Sequence, residues 1–257
     1  MVNNEQTIYT CLQHISNTLL INGGFLPNLG LYTGNMGLVL FFYRYARLTQ
    51  NEIYAEYGSH LLEKIQNKIR ENTPLNYKHG LAGIGSTVEY LTQYGYIKIN
   101  TDDLLEEFDK RIFFTFNLSY LSIDKITDIV YYVSWRLAGN SLVKDRIIKS
   151  VVPQIINLME EWEMSQNRTH PAISFFKDII SSKKSAAPHG GSIISNWFQL
   201  CRNNSSVEEL QGYALMASLT KFDLGIQNGL AGLGLSLISE LDDDDSWFSL
   251  FPNNLIS

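Results

Sequence analysis

"YKHGLAGIGSTVEYL", residues 77–91, sets a histidine beside two glycines three residues apart and runs straight into an apolar helical pattern. Read alone, it is either a phosphate loop or one tooth of a repeat. The rest of the chain favours the repeat, because two other stretches superimpose on it without gaps: "LYTGNMGLVLFF" from Leu31 and "IQNGLAGLGLSL" from Ile226. Each reads apolar or aromatic, any residue, polar, Gly, two residues, Gly, then an apolar helix. The glycine pairs are Gly34/Gly37, Gly80/Gly83 and Gly229/Gly232. A partial copy, "APHGGSIISNWFQLC" from Ala187, keeps the first glycine as Gly190 and has Ile193 at the second. A further degenerate copy falls at "ITDIVYYVSWRLAG" from Ile126, with Asp128 and Tyr131 where glycines stand elsewhere. A phosphate loop would need a strand before it and a GKS or GKT after it, and no copy has either.

The segments between the copies carry helical amphipathicity. "EQTIYTCLQHISNTLL" places Ile8, Cys11, Leu12, Ile15 and Leu19 on one face, and "IYAEYGSHLLEKIQNKI" does the same with Ile53, Tyr57, Leu61, Ile65 and Ile69. "DDLLEEFDKRIFF", "VKDRIIKSVVPQIINLMEEW" and "VEELQGYALMASL" continue the alternation, with Pro153 expected to kink or end a turn in the second of these. The glycine-started helices are apolar nearly all round, which marks them as buried, whereas the others have a charged face. The expected unit is a hairpin of an outer polar helix, a loop and an inner glycine-started helix. Repeated, it gives an all-α fold, an α/α toroid-like array of about five such hairpins. The first glycine lets the backbone turn at the helix entrance, and the second sits where inner helices crowd at the axis.

Residues 1–257 read as a single domain. Residues 164–187, with Phe175–Phe176 and a Ser/Lys-rich end, interrupt the hairpin rhythm as an insertion or flap. A net charge of −6 with scattered Lys and Arg gives no basic stripe for nucleic acid. There is no secretory signal and no membrane-spanning run, so the expected location is cytoplasmic. Cys11 and Cys201, with no CxxC, suit a reducing compartment. The acidic run Asp242–Asp245 reads as the solvated end of the last helix, and the aromatic clusters at residues 41–46 and 131–135 could line a peptide groove but at helical spacing read as core.

Helical hairpins whose inner helices begin GxxG, with HGLAG and GLYTGNMG variants, resemble the lanthionine synthetase C-like family. The first copy, "GLYTGNMGLVLFFYRYA", and the last, "GLAGLGLSLISEL", look like that family's opening and closing repeats. Members of the family usually form a larger ring in a longer chain, so the resemblance implies a shortened member whose ring is smaller, open or completed by a partner. It also implies peptide-modification chemistry. The family's cyclases hold zinc at the mouth of the toroid through two cysteines and a histidine, with cysteines two residues before the repeat glycine. The metal makes a thiolate of a substrate cysteine, which adds to a dehydrated Ser or Thr.

Carried over residue by residue, the pattern departs at the ligands. Two positions before the glycine stand Tyr32, Lys78, Pro188 and Gln227, with Ile126 in the degenerate copy, and none is Cys. Cys11 falls in the first outer helix, and Cys201 lies on the order of 16 Å down the helix that follows Gly190. One position before the glycine come Thr33, His79, His189 and Asn228, with Thr127 in the degenerate copy. Thr and Asn there are expected to cap the helices. His79 and His189 are the candidate catalytic residues. Tyr32, Thr33, Lys78 and Asn228 are the candidate peptide contacts. Converging helix N-termini at this ring would favour an anionic guest and hold imidazole neutral. No metal residue is assigned and no cofactor is expected, zinc included. The leading expectation is a protein of lanthipeptide-type modification without zinc chemistry, a pseudoenzyme that binds a precursor peptide or assists a modifying enzyme. The alternative is a cyclase with atypical zinc ligands. A toroidal glycosidase ranks last, since it wants two carboxylates across a cleft and the inner-helix starts offer only Asp128.

Overall fold

The computed structural model describes residues 4–114, 122–139, 144–167 and 223–251, with the isolated positions 173, 176, 177 and 180. His189, Pro188, Gly190, Cys201 and the segment "VEELQGYALMASL" lie outside these, as does most of 164–187. The described elements are α1 (Asn4–Asn22), α2 (Asn35–Thr49), α3 (Glu52–Lys68), α4 (Leu81–Gln93), α5 (Thr101–Asp109), α6 (Ile123–Ala138), α7 (Lys144–Arg146), α8 (Val152–Gln166) and α9 (Leu230–Asp242). No strand occurs among the described residues.

The three glycine-started helices are the inner layer. Asn35–Ala46 of α2, Leu81–Leu91 of α4 and Leu230–Ser239 of α9 are buried without interruption, as an all-round apolar sequence requires. Around them α1 buries Ile8, Cys11, Leu12, Ile15 and Leu19, the face read from its periodicity. In α3 only Leu61 and Ile65 of the expected stripe are fully buried, while Ile53 is 64 % exposed. Steps of four residues precess by about 40° each around a helix. A stripe centred on Leu61 and Ile65 therefore turns its first member out to water.

The hairpin phase differs from the expected one. α2 packs most extensively on the α3 that follows it, α4 packs on α5, and α6 on α8, so these three helices are each covered by an outer helix that follows. The tight connection at Gln50, in the left-handed region, and Asn51, whose side chain caps α3 through the Ile53 N–H, enforces this pairing for α2 and α3. The outer helix α1 covers α9.

Pro153 falls in the first turn of α8, directly after a π turn at Ile147–Val151. Its missing N–H and ring are absorbed by that irregular turn, as expected of a proline inside a helical pattern. The segment Ser246–Leu250 is a 3₁₀ turn that packs back on α4. It buries Trp247 and Leu250, and then Phe251, whose ring lies 5.2 Å from that of Tyr32. Ser246 meets the Tyr90 hydroxyl in the last turn of α4, and Phe251 meets Tyr32 just ahead of α2. The chain's own aromatic side chains thus fill the interior beneath the first repeat loop.

Candidate functional site: the rim of repeat loops

The glycine pair builds the same loop three times. In each copy the first glycine is the N-cap, with extended backbone: φ is −126° at Gly34, −124° at Gly80 and −119° at Gly229. None of the three helices has a side-chain cap, so the expected capping by Thr33 and Asn228 does not occur. The orphan N–H groups of the first turn are bonded by carbonyls of the loop folded back over them. Asn35 and Met36 donate to Asn28 and Leu29, Leu81 and Ala82 to Pro74 and Leu75, and Leu230 and Ala231 to Asp223 and Leu224. This fold-back explains both glycines. A Cβ on Gly80 would lie 2.1 Å from the Pro74 carbonyl oxygen, and one on Gly83 would lie 1.9 Å from that of Tyr77. The helix N-termini are therefore closed by their own loops, which removes the physical basis for an anionic guest held on free amides.

The loops are also tied to one another. Ile226 and Gln227 donate their backbone N–H groups to the Tyr32 carbonyl, and Tyr32 donates its own to the Lys78 carbonyl. A third glycine, four residues before the first, permits the approach: a Cβ on Gly225 would meet the Cα of Thr33 at 2.6 Å, and one on Gly30 the Cα of His79 at 2.3 Å. The last copy thus sits beside the first, and the first beside the second. Gly30 and Gly225 carry this contact, and the signal was present in sequence as GLYTG and GIQNG.

Four of the side chains picked out in the sequence gather on this rim. Thr33 and Lys78 are half-buried, His79 and Asn228 exposed. The Thr33 Oγ1 lies 3.2 Å from the His79 Nδ1, and the His79 backbone N–H donates to the Asn76 side-chain oxygen. Partial burial of the ring first, then the Lys78 charge, lower the His79 pKa, so the imidazole is neutral near pH 7. Asn228 takes a left-handed φ of 56°, a conformation asparagine tolerates. Tyr32 is fully buried under the rim, contributing its backbone to the loop contacts and its ring to the packing on Phe251. His189 lies outside the described residues.

Residues 115–121, which precede α6, lie outside the described ones. The helix begins at Ile123, so Thr127 and Asp128 sit inside it and not at its entrance. The Asp128 carboxyl is half-buried beside the loop of the second copy, where the Tyr77 backbone N–H supports its charge. Burial nonetheless raises its pKa to about 6. Sequence reading placed Asp128 at a missing glycine, and it missed the cavity that this residue lines with Asn76.

A family model described as lanthionine synthetase C-like protein matches residues 27–183, more than half of the chain. The third loop, at 225–232, lies beyond that match and repeats the same geometry. No curated protein and no solved structure matches the chain.

Proposed function

Because the chain belongs to the lanthionine synthetase C-like family, we propose that it serves peptide modification by binding a precursor peptide, or the enzyme that modifies it, on the rim of repeat loops, without zinc chemistry of its own. The observation that carries this reading is the rim itself. Three loops locked together by backbone bonds present Thr33, Lys78, His79, Gln227 and Asn228 as side-chain hydrogen-bonding groups. Such a surface is preorganised, so an extended peptide laid across it meets donors and acceptors without loop ordering.

Zinc does not fit the described part of the rim. A cyclase-type site needs soft thiolate ligands, and the positions that would supply them hold Tyr32, Lys78 and Gln227. The imidazole present, His79, shares a hydrogen bond with Thr33. The Cys11 thiol is buried in α1, and that burial raises its pKa, which disfavours a thiolate.

The test is fluorescence anisotropy with labelled precursor-type peptides rich in Ser, Thr and Cys, together with co-purification of a modifying enzyme. Parent protein is to be compared with Thr33→Val, Lys78→Ala and His79→Ala. Binding weakened about tenfold by these changes, roughly 1.4 kcal/mol, supports the rim as the surface. Parent binding no stronger than to an unrelated peptide, with no enzyme retained, ends the proposal. Elemental analysis adds an independent outcome: stoichiometric zinc lost in His79→Ala or His189→Ala would replace it with a cyclase of atypical ligands.

A further inference from the structure

Among the described residues, the series of bonded loops ends at the second loop. From Gln227 to Tyr32 and from Tyr32 to Lys78, each loop leans on the next through backbone hydrogen bonds. Beside the second loop stands α6, with Asp128 bonded to the Tyr77 N–H and the Tyr131 ring against that of Tyr77, and Asn76 stands where the other two loops have Gly30 and Gly225. Between the second loop and α6 lies a cavity of about 290 Å³. Pro74, Leu75 and Asn76 line it from the loop, Ile112 from the π turn Lys110–Phe114 that follows α5, and Asp128 and Ile129 from α6, with the exposed Lys125 beside them.

Two features define what fits. The walls are mainly apolar, made by Pro74, Leu75, Ile112 and Ile129. Against them stands one half-buried carboxylate, Asp128, with no Lys or Arg nitrogen in ion-pair distance among the described residues. A carboxylate in such a wall is costly unless a cation or several donors reach it. The Tyr77 N–H supplies one donor and the Lys78 charge favours the carboxylate from beyond ion-pair distance, against the repulsion of Asp124, which leaves room for a compact cation better than for a planar fork needing both oxygens. Lysine combines a stem of methylenes with a point charge at its end.

We propose that this cavity is a subsite for a lysine side chain of the peptide bound on the rim, its methylenes against Leu75, Ile112 and Ile129 and its ammonium on Asp128. The assignment rests on the rim being a peptide surface, but its test does not. The full-length protein, labelled with ¹⁵N, is titrated with Nα-acetyl-lysine-N-methylamide, its Nε-acetylated form and the norleucine analogue. Saturable shifts at the amides of Asn76, Tyr77 and Lys125 are expected for the free lysine probe alone. They should weaken tenfold or more in Asp128→Asn, which keeps an acceptor for the Tyr77 N–H while removing the charge. No saturable shift, or equal shifts with norleucine, overturns the subsite, and the acetylated control decides the matter in the parent protein even if the variant folds poorly. Peptide binding on the rim can fail while the lysine probe still titrates the cavity, and the reverse, so the two readings fall separately.

Discussion

At the scale of single residues, the repeat glycines act through distance. The second glycine of each pair is forced by a carbonyl of its own loop, and backbone cannot swing aside as a side chain can. Gly83→Ala, with its Cβ 1.9 Å from the Tyr77 oxygen, is expected to cost about 3 kcal/mol in urea unfolding. Gly24→Ala, where a Cβ would meet nothing within 4 Å, should change stability by less than about 0.5 kcal/mol. Asp128 makes a second residue-scale prediction, and its sign follows from a raised folded-state pKa. The folded chain holds that proton up to about pH 6 while the unfolded chain has released it from about pH 4 upward. The contribution of Asp128 to stability therefore falls as pH rises between those values. Asp128→Asn should be more stable than the parent at pH 7.5 by up to about 3 kcal/mol, and the difference should close by pH 4. Equal urea midpoints at both pH values would show that the carboxyl is not desolvated.

At the scale of elements, α4, α5 and α6 are joined by one buried guanidinium. Arg136 of α6 holds Asp109 with Nε and Nη2 at 3.2 and 2.7 Å and Asp102 at 2.9 Å, and it also binds Glu89 of α4. The Tyr132 hydroxyl donates to Asp109. Arg136, Glu89 and Asp109 are buried, and burial pushes both carboxyls above their ordinary range despite the guanidinium. Arg136→Met leaves three acids in the interior facing one another, and should cost about 3–5 kcal/mol at pH 7. That loss should shrink as the pH is lowered toward the ordinary carboxylate range, because protonation removes the stranded charges. Urea unfolding of parent and variant across pH checks this, and a pH-independent loss would mean that packing dominates over charge. The periodicity of α6 gives no hint of this arrangement, since an arginine late in an apolar helix reads equally well as a snorkelling surface cation.

At the scale of the whole molecule, the two ends of the chain are built into one another. α1 covers α9, Gly225 packs on Thr33, and the buried Arg44 of α2 binds Asp242, the last residue of α9, and Asp244 just past it. So two members of the acidic run expected to be solvated are anchors for an interior charge. Trp247, fully buried with its Nε1 donating to Ser239, holds the turn that fills the interior. Trp247→Ala is expected to cost about 3–5 kcal/mol. Because α1 packs most on α9 among the described helices, amide exchange in α1 should accelerate together with exchange in α9. Loss of protection confined to residues near 247 would show that the ends are not one cooperative unit. Taken alone, the sequence determined the all-α class, the repeat, the buried character of the inner helices and the place of the rim. Each of these follows from residue spacing, and spacing is local. Only the tertiary structure decided which helix covers which, that the glycines serve backbone caps rather than a guest, that Tyr32 turns inward, and that Asp128 faces a cavity. Those outcomes depend on what lies across the chain from each residue, and no periodicity along one helix records its neighbours in space.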